Sequence, residues 1–390
     1  MQNVGVIGYG DRIRHMIPRM RKFGIAFRLK AIADPGMFKL PRANDQELSG
    51  VTMYETADEM LERERLSGVM IGTRCNLHAE MACKVARYGI PLFLEKPVAI
   101  SFEQLETLAK AFSNNSAPTV VSFPLRLSPL FAAVMDIVNS GRIGSVKQIA
   151  AFNDVTYGNT YFSLWYRNYE ETGGLFLQKM THDIDCVASI AKSKPRTVCA
   201  MSAQSFYGGD KPHDLRCVDC GEYETCLESP FNWFYKRKTQ SSVEDDRHLS
   251  RRMCVFSQNL KNEDIGQCLI EYENGILASY TQNFFVRNHA GRRGARVYGT
   301  EGTLEFDWLK GQIQIFTHIS PTIETIELSS AGEHFGGDME LSYDFLLAMR
   351  EGKASRSDIN AGIESALVCL CARKSAESKM FVPVGHAGGS

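Results

Sequence analysis

Residues 2–23 read QNVGVIGYGDRIRHMIPRMRKF. A short β-rich run gives way at Gly8 and Gly10 to a stretch whose apolar residues recur at helical spacing, so the glycines mark a strand-to-helix turn. Glycine there lets the backbone approach a pyrophosphate, to which the first amides of the helix donate. Tight turns also use glycine for φ > 0 alone, so the pair is a weak sign by itself. The dinucleotide fingerprint is imperfect too, because Ile13 occupies the third glycine position. Its context is better. Asp34 closes the next apolar run, FRLKAIAD, where a carboxylate accepts both ribose hydroxyls and repels a 2′-phosphate. The expected cofactor is NAD rather than NADP.

Further strand candidates follow at Val51–Tyr54, Gly68–Ile71, Pro91–Leu94 and Thr119–Phe123, with helical stretches at Ala57–Arg65, Asn76–Tyr88 and Ser101–Ser113 between them. Alternation at this pace predicts an α/β doubly wound parallel sheet over residues 1–123, with ligands beyond the carboxyl ends of its strands. After residue 124 the strand candidates crowd together: Val146–Asn153, Arg196–Ser205, Asp264–Tyr272, Ala278–Phe285, Ala295–Tyr298 and Gln312–Phe316. Residues 124–390 therefore read as an α+β domain with an open, mainly antiparallel sheet. Two amphipathic helices close it between Asp338 and Ser375, the last returning towards the first domain.

At 390 residues the chain has room for two or three domains. Its formal net charge of −1, with acids and bases intermixed, gives no electrostatic case for nucleic acid or an anionic membrane. The short basic runs RMRK at 19–22 and RRGAR at 292–296 read as solvated faces. No apolar run approaches the ~20 residues of a membrane span, and the first strand begins without a secretory leader pattern. A cytoplasmic protein is expected. Of the eleven cysteines, seven are scattered singly among apolar residues and read as small reduced core hydrophobes.

Residues 91–101, PLFLEKPVAIS, end an apolar strand on Glu95-Lys96-Pro97. A surface ion pair before a turn proline is the plain reading. The segment nevertheless closely resembles the Glu-Lys-Pro signature of the Gfo/Idh/MocA oxidoreductases. IGTRCNLHAEMA at 71–82, SFPLRLSP at 122–129, GGLFLQKMTHDID at 173–185 and VYGTEGTLEF at 297–306 resemble further family motifs, in the family's order. The resemblance implies a Rossmann domain carrying NAD and a second domain carrying a sugar, cyclitol or related polyol. It also implies a homodimer or homotetramer assembled through the open sheet, and a cis bond at Pro97. Lys96 and His182 are then the expected catalytic pair. Gly8, Gly10, Asp11, Arg12, Asp34, Thr73, Asn76, His78, Glu95 and Lys96 are expected around the cofactor. Arg126, Trp165, Arg167, Gln178, Lys179, Asp185 and His334 are expected around the substrate.

Elementary chemistry fits these roles. A partly buried lysine has a lowered pKa and can exchange a proton with a hydroxyl being oxidised, while proline restricts the backbone from which it springs. One departure stands out: many family members carry aspartate where this chain has Gln178, which can orient a hydroxyl but cannot accept its proton. A dehydrogenase is the main reading. An NAD-dependent glycoside hydrolase working by oxidation and elimination, and a non-catalytic NAD(H)-binding sensor, are its rivals.

RCVDCGEYETCLES places Cys217, Cys220 and Cys226 together, and RMCVF adds Cys254, all within a polar, irregular insertion at about 206–262. Four sulfurs with one C-x2-C pair suit a structural zinc, with His213 as a substitute ligand. An iron–sulfur cluster, plain reduced thiols or a disulfide made on isolation are the other readings.

Overall fold

The structure, a computed structural model, describes residues 1–36, 46–232, 251–328 and 333–385. Most of TQSSVEDDRHLSRR, the polar core of the insertion, lies outside the described residues.

Six parallel strands form the first sheet: β1 (Gln2–Ile7), β2 (Phe27–Ala33), β3 (Thr52–Tyr54), β4 (Gly68–Ile71), β5 (Leu92–Leu94) and β6 (Thr119–Val121), in the order 3-2-1-4-5-6. The central strands are apolar throughout because helices cover both faces; β4, β5 and β6 are buried at every residue. On one face lie α2 (Ala57–Arg63), α3 (His78–Ala86) and α4 (Phe102–Phe112). Thr56 and Ser101 cap α2 and α4, each accepting from the amide three residues on. The other face packs against α1 (Asp11–Arg21) and a helix from the far end of the chain.

After α5 (Pro129–Asn139) comes a nine-stranded sheet, in the order β14-β13-β12-β11-β7-β10-β9-β8-β15. Its strands are β7 (Val146–Asp154), β8 (Pro195–Ala203), β9 (Ile265–Tyr272), β10 (Leu277–Asn283), β11 (Arg292–Gly299), β12 (Gly302–Asp307), β13 (Gln312–Thr317), β14 (Ile323–Glu327) and β15 (Val382–Pro383). Only β7 and β10 pair in parallel. The edge strands β14 and β15 were not among the sequence candidates; the first is largely exposed and the second is two residues long. The inner face carries α6 (Thr181–Ala191) and α8 (Ile359–Ser378).

The last helix, α8, returns to the first domain as expected, reaching α4 and β6 while it packs chiefly on α6 and β8. A second helix does so as well: in α7 (Gly337–Glu351), Leu341, Phe345, Leu346, Ala348 and Met349 join Val4, Ile13 and Phe93 in one cluster. One sequence expectation changes, for RRGAR is not a solvated face. It forms β11, and strand alternation turns Arg292 outward while burying Arg293.

None of the described helices is long and apolar enough to cross a membrane. Phe345 is fully buried and meets Phe93 edge-on at 5.8 Å between ring centroids. Phe345→Ala should therefore cost about 3–5 kcal/mol of stability, read as a lowered melting midpoint, with NADH binding lost alongside it.

Candidate functional site

The turn after β1 is built by contact as well as by torsion. Gly8 has φ +78°, and a Cβ there would stand 2.8 Å from the Thr73 amide nitrogen. The missing third glycine is compensated across the sheet. A Cβ on Gly72, at the end of β4, would lie 2.3 Å from Cγ1 of Ile13. The close helix-to-strand approach that usually needs a glycine on the helix is obtained here by a glycine on the neighbouring loop.

Gly8, Gly10, Asp34, Thr73 and Arg74 line a cleft of about 490 Å³ at the carboxyl ends of these strands. The Asp34 carboxylate accepts from the Tyr9 amide at 2.9 Å and the Gly36 amide at 2.8 Å, which fixes its direction beside the cleft. Asp11, the first residue of α1, is exposed. The glycine turn and the aimed carboxylate fit a dinucleotide.

Other residues expected at the cofactor hold the walls. Arg12 donates to Glu95 at 3.0 Å, Ser122 at 3.1 Å and Asp338 at 2.6 Å, tying α1, the end of β5 and α7 together. Burial opposes ionisation of Asp338, but His334, at 3.0 Å, and Arg12 outweigh it and hold the carboxyl well below its usual range. The buried His78 ring spans two carbonyls, Pro97 at 2.8 Å and Thr73 at 3.2 Å, and so joins the Lys96-Pro97 turn to the β4 loop. The Lys96–Pro97 bond is cis. Asn76 gives its carbonyl to Gln104 at 2.8 Å, while its own Oδ1 is buried without a protein partner.

Lys96 crosses to the second domain. Its Nζ donates to Gln178 twice, to the backbone oxygen at 2.7 Å and to Oε1 at 3.0 Å. Gln178 Nε2 in turn donates to Cys75 Sγ at 2.8 Å. Gln178 and Lys179 lie on a π-helical turn, Phe176–Met180, that runs into α6. Such wide turns recur at functional sites. Burial pushes the Lys96 ammonium down to about 8, against the upward pull of Cys75 and Glu95 and with the push of Lys179. Gln178 takes the aspartate's position without its charge, and so leaves the amine free to shed a proton near neutrality.

His182, on α6, lies between Phe123 and His334, with ring centroids at 6.0 and 6.2 Å. Its Nδ1 is buried with no partner among the described residues. Burial holds the ring neutral, and the charge weighing most on it thereafter is that of Lys96. Lys179 donates to the Tyr157 hydroxyl and lies 4.6 Å from the centre of that ring. Asp183 faces away from this group, holding Arg293 at 2.7 Å, Asn153 at 2.8 Å and Tyr280 at 2.9 Å, while Arg293 Nη2 stays buried and unpartnered. Sequence reasoning missed Tyr157, Arg293 and Cys75; only the period-2 alternation of β11 could have exposed Arg293.

The remaining candidates stand at three places. Trp165 stacks under the Arg74 guanidinium at 3.9 Å, at the edge of the dinucleotide cleft. Arg126 grips the buried Asp185, at 2.9 Å between Nε and Oδ2, and the pair lines a separate polar cavity with Lys192 and Glu364. Arg167 is further off, donating to the His213 carbonyl at 3.1 Å and Ser257 at 2.6 Å. The structure thus brings Lys96, Gln178, Lys179, His182 and His334 together but not Arg126, Asp185 or Arg167.

Comparison with known proteins agrees with this geometry. A family model described as an oxidoreductase family with an NAD-binding Rossmann fold matches residues 2–123, and one for the GFO/IDH/MocA C-terminal domain matches residues 131–305. YteT of Bacillus subtilis (strain 168) is 26% identical over 403 residues, covering 94% of this chain and 92% of its own. Inositol 2-dehydrogenase of Rhizobium meliloti (strain 1021) is 28% identical over 170 residues, 44% of this chain and 48% of its own. Levoglucosan dehydrogenase in complex with NADH and levoglucosan superposes with a TM-score of 0.74 at 18% identity, covering 99% of this chain and 100% of that one. The chain belongs to the Gfo/Idh/MocA family of NAD-binding Rossmann oxidoreductases.

The shift on Lys96 can be checked without turnover. A 13C NMR titration of reductively methylated lysines, assigned with Lys96→Arg, should show one resonance with a midpoint near 8. Gln178→Asp should raise that midpoint by about 1–3 units, because an adjacent anion favours the charged amine.

Proposed function

We propose that this protein is an NAD-dependent dehydrogenase of a sugar, cyclitol or related polyol, with Lys96 as the proton-transferring group. The observation that carries the reading is the buried Lys96 amine, poised at about 8 and held by a neutral acceptor beside an unpartnered histidine nitrogen. Gly8, Gly10, Asp34 and Thr73 would hold the dinucleotide, whose nicotinamide supplies the hydride acceptor. Lys96 removes the hydroxyl proton as the carbinol carbon gives up its hydride, and its charge stabilises developing alkoxide. His182 Nδ1 binds the same or the neighbouring hydroxyl and keeps the substrate in line. Lys179, Tyr157 and Trp165 would form the sugar-facing wall, with His334 set by Asp338 behind His182. None of the eleven cysteines is joined in a disulfide, which supports a cytoplasmic location. Leu269 and Met201, exposed on the outer face of the second sheet, support the homo-oligomer that the family resemblance implies.

The test is nicotinamide absorbance during incubation with sugars and inositols. Oxidation should speed up with pH and level off above about 8, since only the neutral amine accepts a proton. Lys96→Met should lower kcat by about 10²–10⁴ with NADH affinity kept. Full turnover in that variant would overturn the mechanism, and substrate loss without net NADH would favour the oxidation–elimination hydrolase. Asp34→Ala should weaken NADH by about 10–100-fold in calorimetry, the worth of charge-assisted hydrogen bonds, and NADPH by less.

A further inference from the structure

Cys217, Cys220 and Cys226, close in sequence, and the more distant Cys254 line one small cavity of about 20 Å³. Two chain segments are pinned to make it. Arg216 and Met253 form an isolated antiparallel bridge, the Cys217 amide donates to the Arg252 carbonyl at 2.8 Å, and the Cys254 amide donates to the Leu215 carbonyl at 2.8 Å. Cys217 and Cys220 flank a tight turn closed by the Cys220 amide on the Cys217 carbonyl at 3.1 Å. We propose that these four sulfurs are the ligands of one structural zinc ion, which clamps the insertion to the wall of the substrate domain.

Four observations favour a metal over packed thiols. Backbone amides of Glu228 and Ser229 reach the Cys226 sulfur, and that of Phe256 reaches the Cys254 sulfur; these contacts hold both sulfurs at the cavity as outer partners hold metal ligands. Arg167 is half-buried beside Cys217 and Cys254 and pairs with no carboxylate among the described residues, and its Nε and Nη1 have no partner. Zinc bound by four thiolates carries a net charge of about −2, the compensation that guanidinium lacks. Glu228 also lines the cavity, but Asn159 at 2.8 Å and Arg287 at 2.6 Å occupy its carboxylate, which leaves the sulfurs as the free donors. The cavity has room for one ion. His213 does not line it and donates from Nδ1 to the Gln258 carbonyl instead.

As the side chains stand, no three His, Cys, Asp or Glu groups among the described residues are close enough together to hold a metal. Neutral thiols have no reason to converge. Cys217 illustrates this, since its Sγ donates to the Met253 carbonyl at 3.4 Å. Binding requires four rotamer adjustments about fixed backbone and the release of the thiol protons.

The clamp reaches the candidate site through a short path. The Met253 amide donates to the Ser163 carbonyl at 2.8 Å, and Arg252 donates to Asn159 at 3.1 Å and Ser163 at 2.9 Å. Asn159 and Ser163 frame the helical turn that carries Tyr161, next to Tyr157 over Lys179.

Metal analysis of the full chain, purified without chelators, decides the matter. About one zinc per chain should be found and released by a mercurial reagent, with Cys220→Ser and Cys226→Ser carrying almost none. Cys199→Ser, outside the cluster, should keep its zinc. Stripping the metal from the wild-type chain should lower the melting midpoint and make four further thiols reactive. Wild-type protein that contains no zinc, carries iron with visible absorption, or already exposes these four thiols to a thiol reagent overturns the proposal, even if the variants do not fold. None of these results depends on turnover, so the dehydrogenase reading stands or falls separately.

Discussion

A primary amine at the end of β5 is shared between two domains, and its surroundings are arranged around the cost of burying it. Lys96 leaves the parallel sheet and finds its acceptors on Gln178, which belongs to the turn that starts α6. A buried ammonium without an anion is expensive, and the site relieves this by letting the group become neutral. The glutamine is therefore consistent with proton transfer. An aspartate at that place would bind the amine more strongly and keep it charged. The same contact adds a polar tie between the two domains to the apolar core they share.

The charges around this amine are unevenly matched. Arg12 is satisfied by Glu95 and Asp338, and Arg126 by Asp185. Lys179 has a phenol as its partner, and Arg293 has Asp183 on one side only. The interior of the site is thus positive, which suits a developing alkoxide. His182 stays neutral in such a field and can present a nitrogen to a hydroxyl without competing for the proton.

Much of the fold was legible because its strongest signals are local. The parallel strands are short and apolar and alternate with helices, so their positions came within a few residues of those observed. Lys96 and His182 could be named because their motifs travel together. What sequence could not show were the contacts made across it. Ile13 looked like a flaw in the glycine turn until Gly72 supplied its space from another strand. Arg293 sat in a run of basic residues whose alternation was overlooked. Arg167, which the resemblance implies at the substrate, faces the cysteine insertion instead. Pairings between residues tens of positions apart leave no periodicity to read.

The helix Gly337–Glu351 closes one face of the first sheet. The ribosome delivers that helix only after eight of the nine strands of the second sheet, β7 to β14, have been made. Until then the nascent nucleotide-binding half carries an uncovered apolar surface around Phe93 and Met70, and it can neither finish its core nor be released to fold alone. Domain order along the chain and folding order are thereby uncoupled, and a holding chaperone has a defined hydrophobic face to shield in the interval.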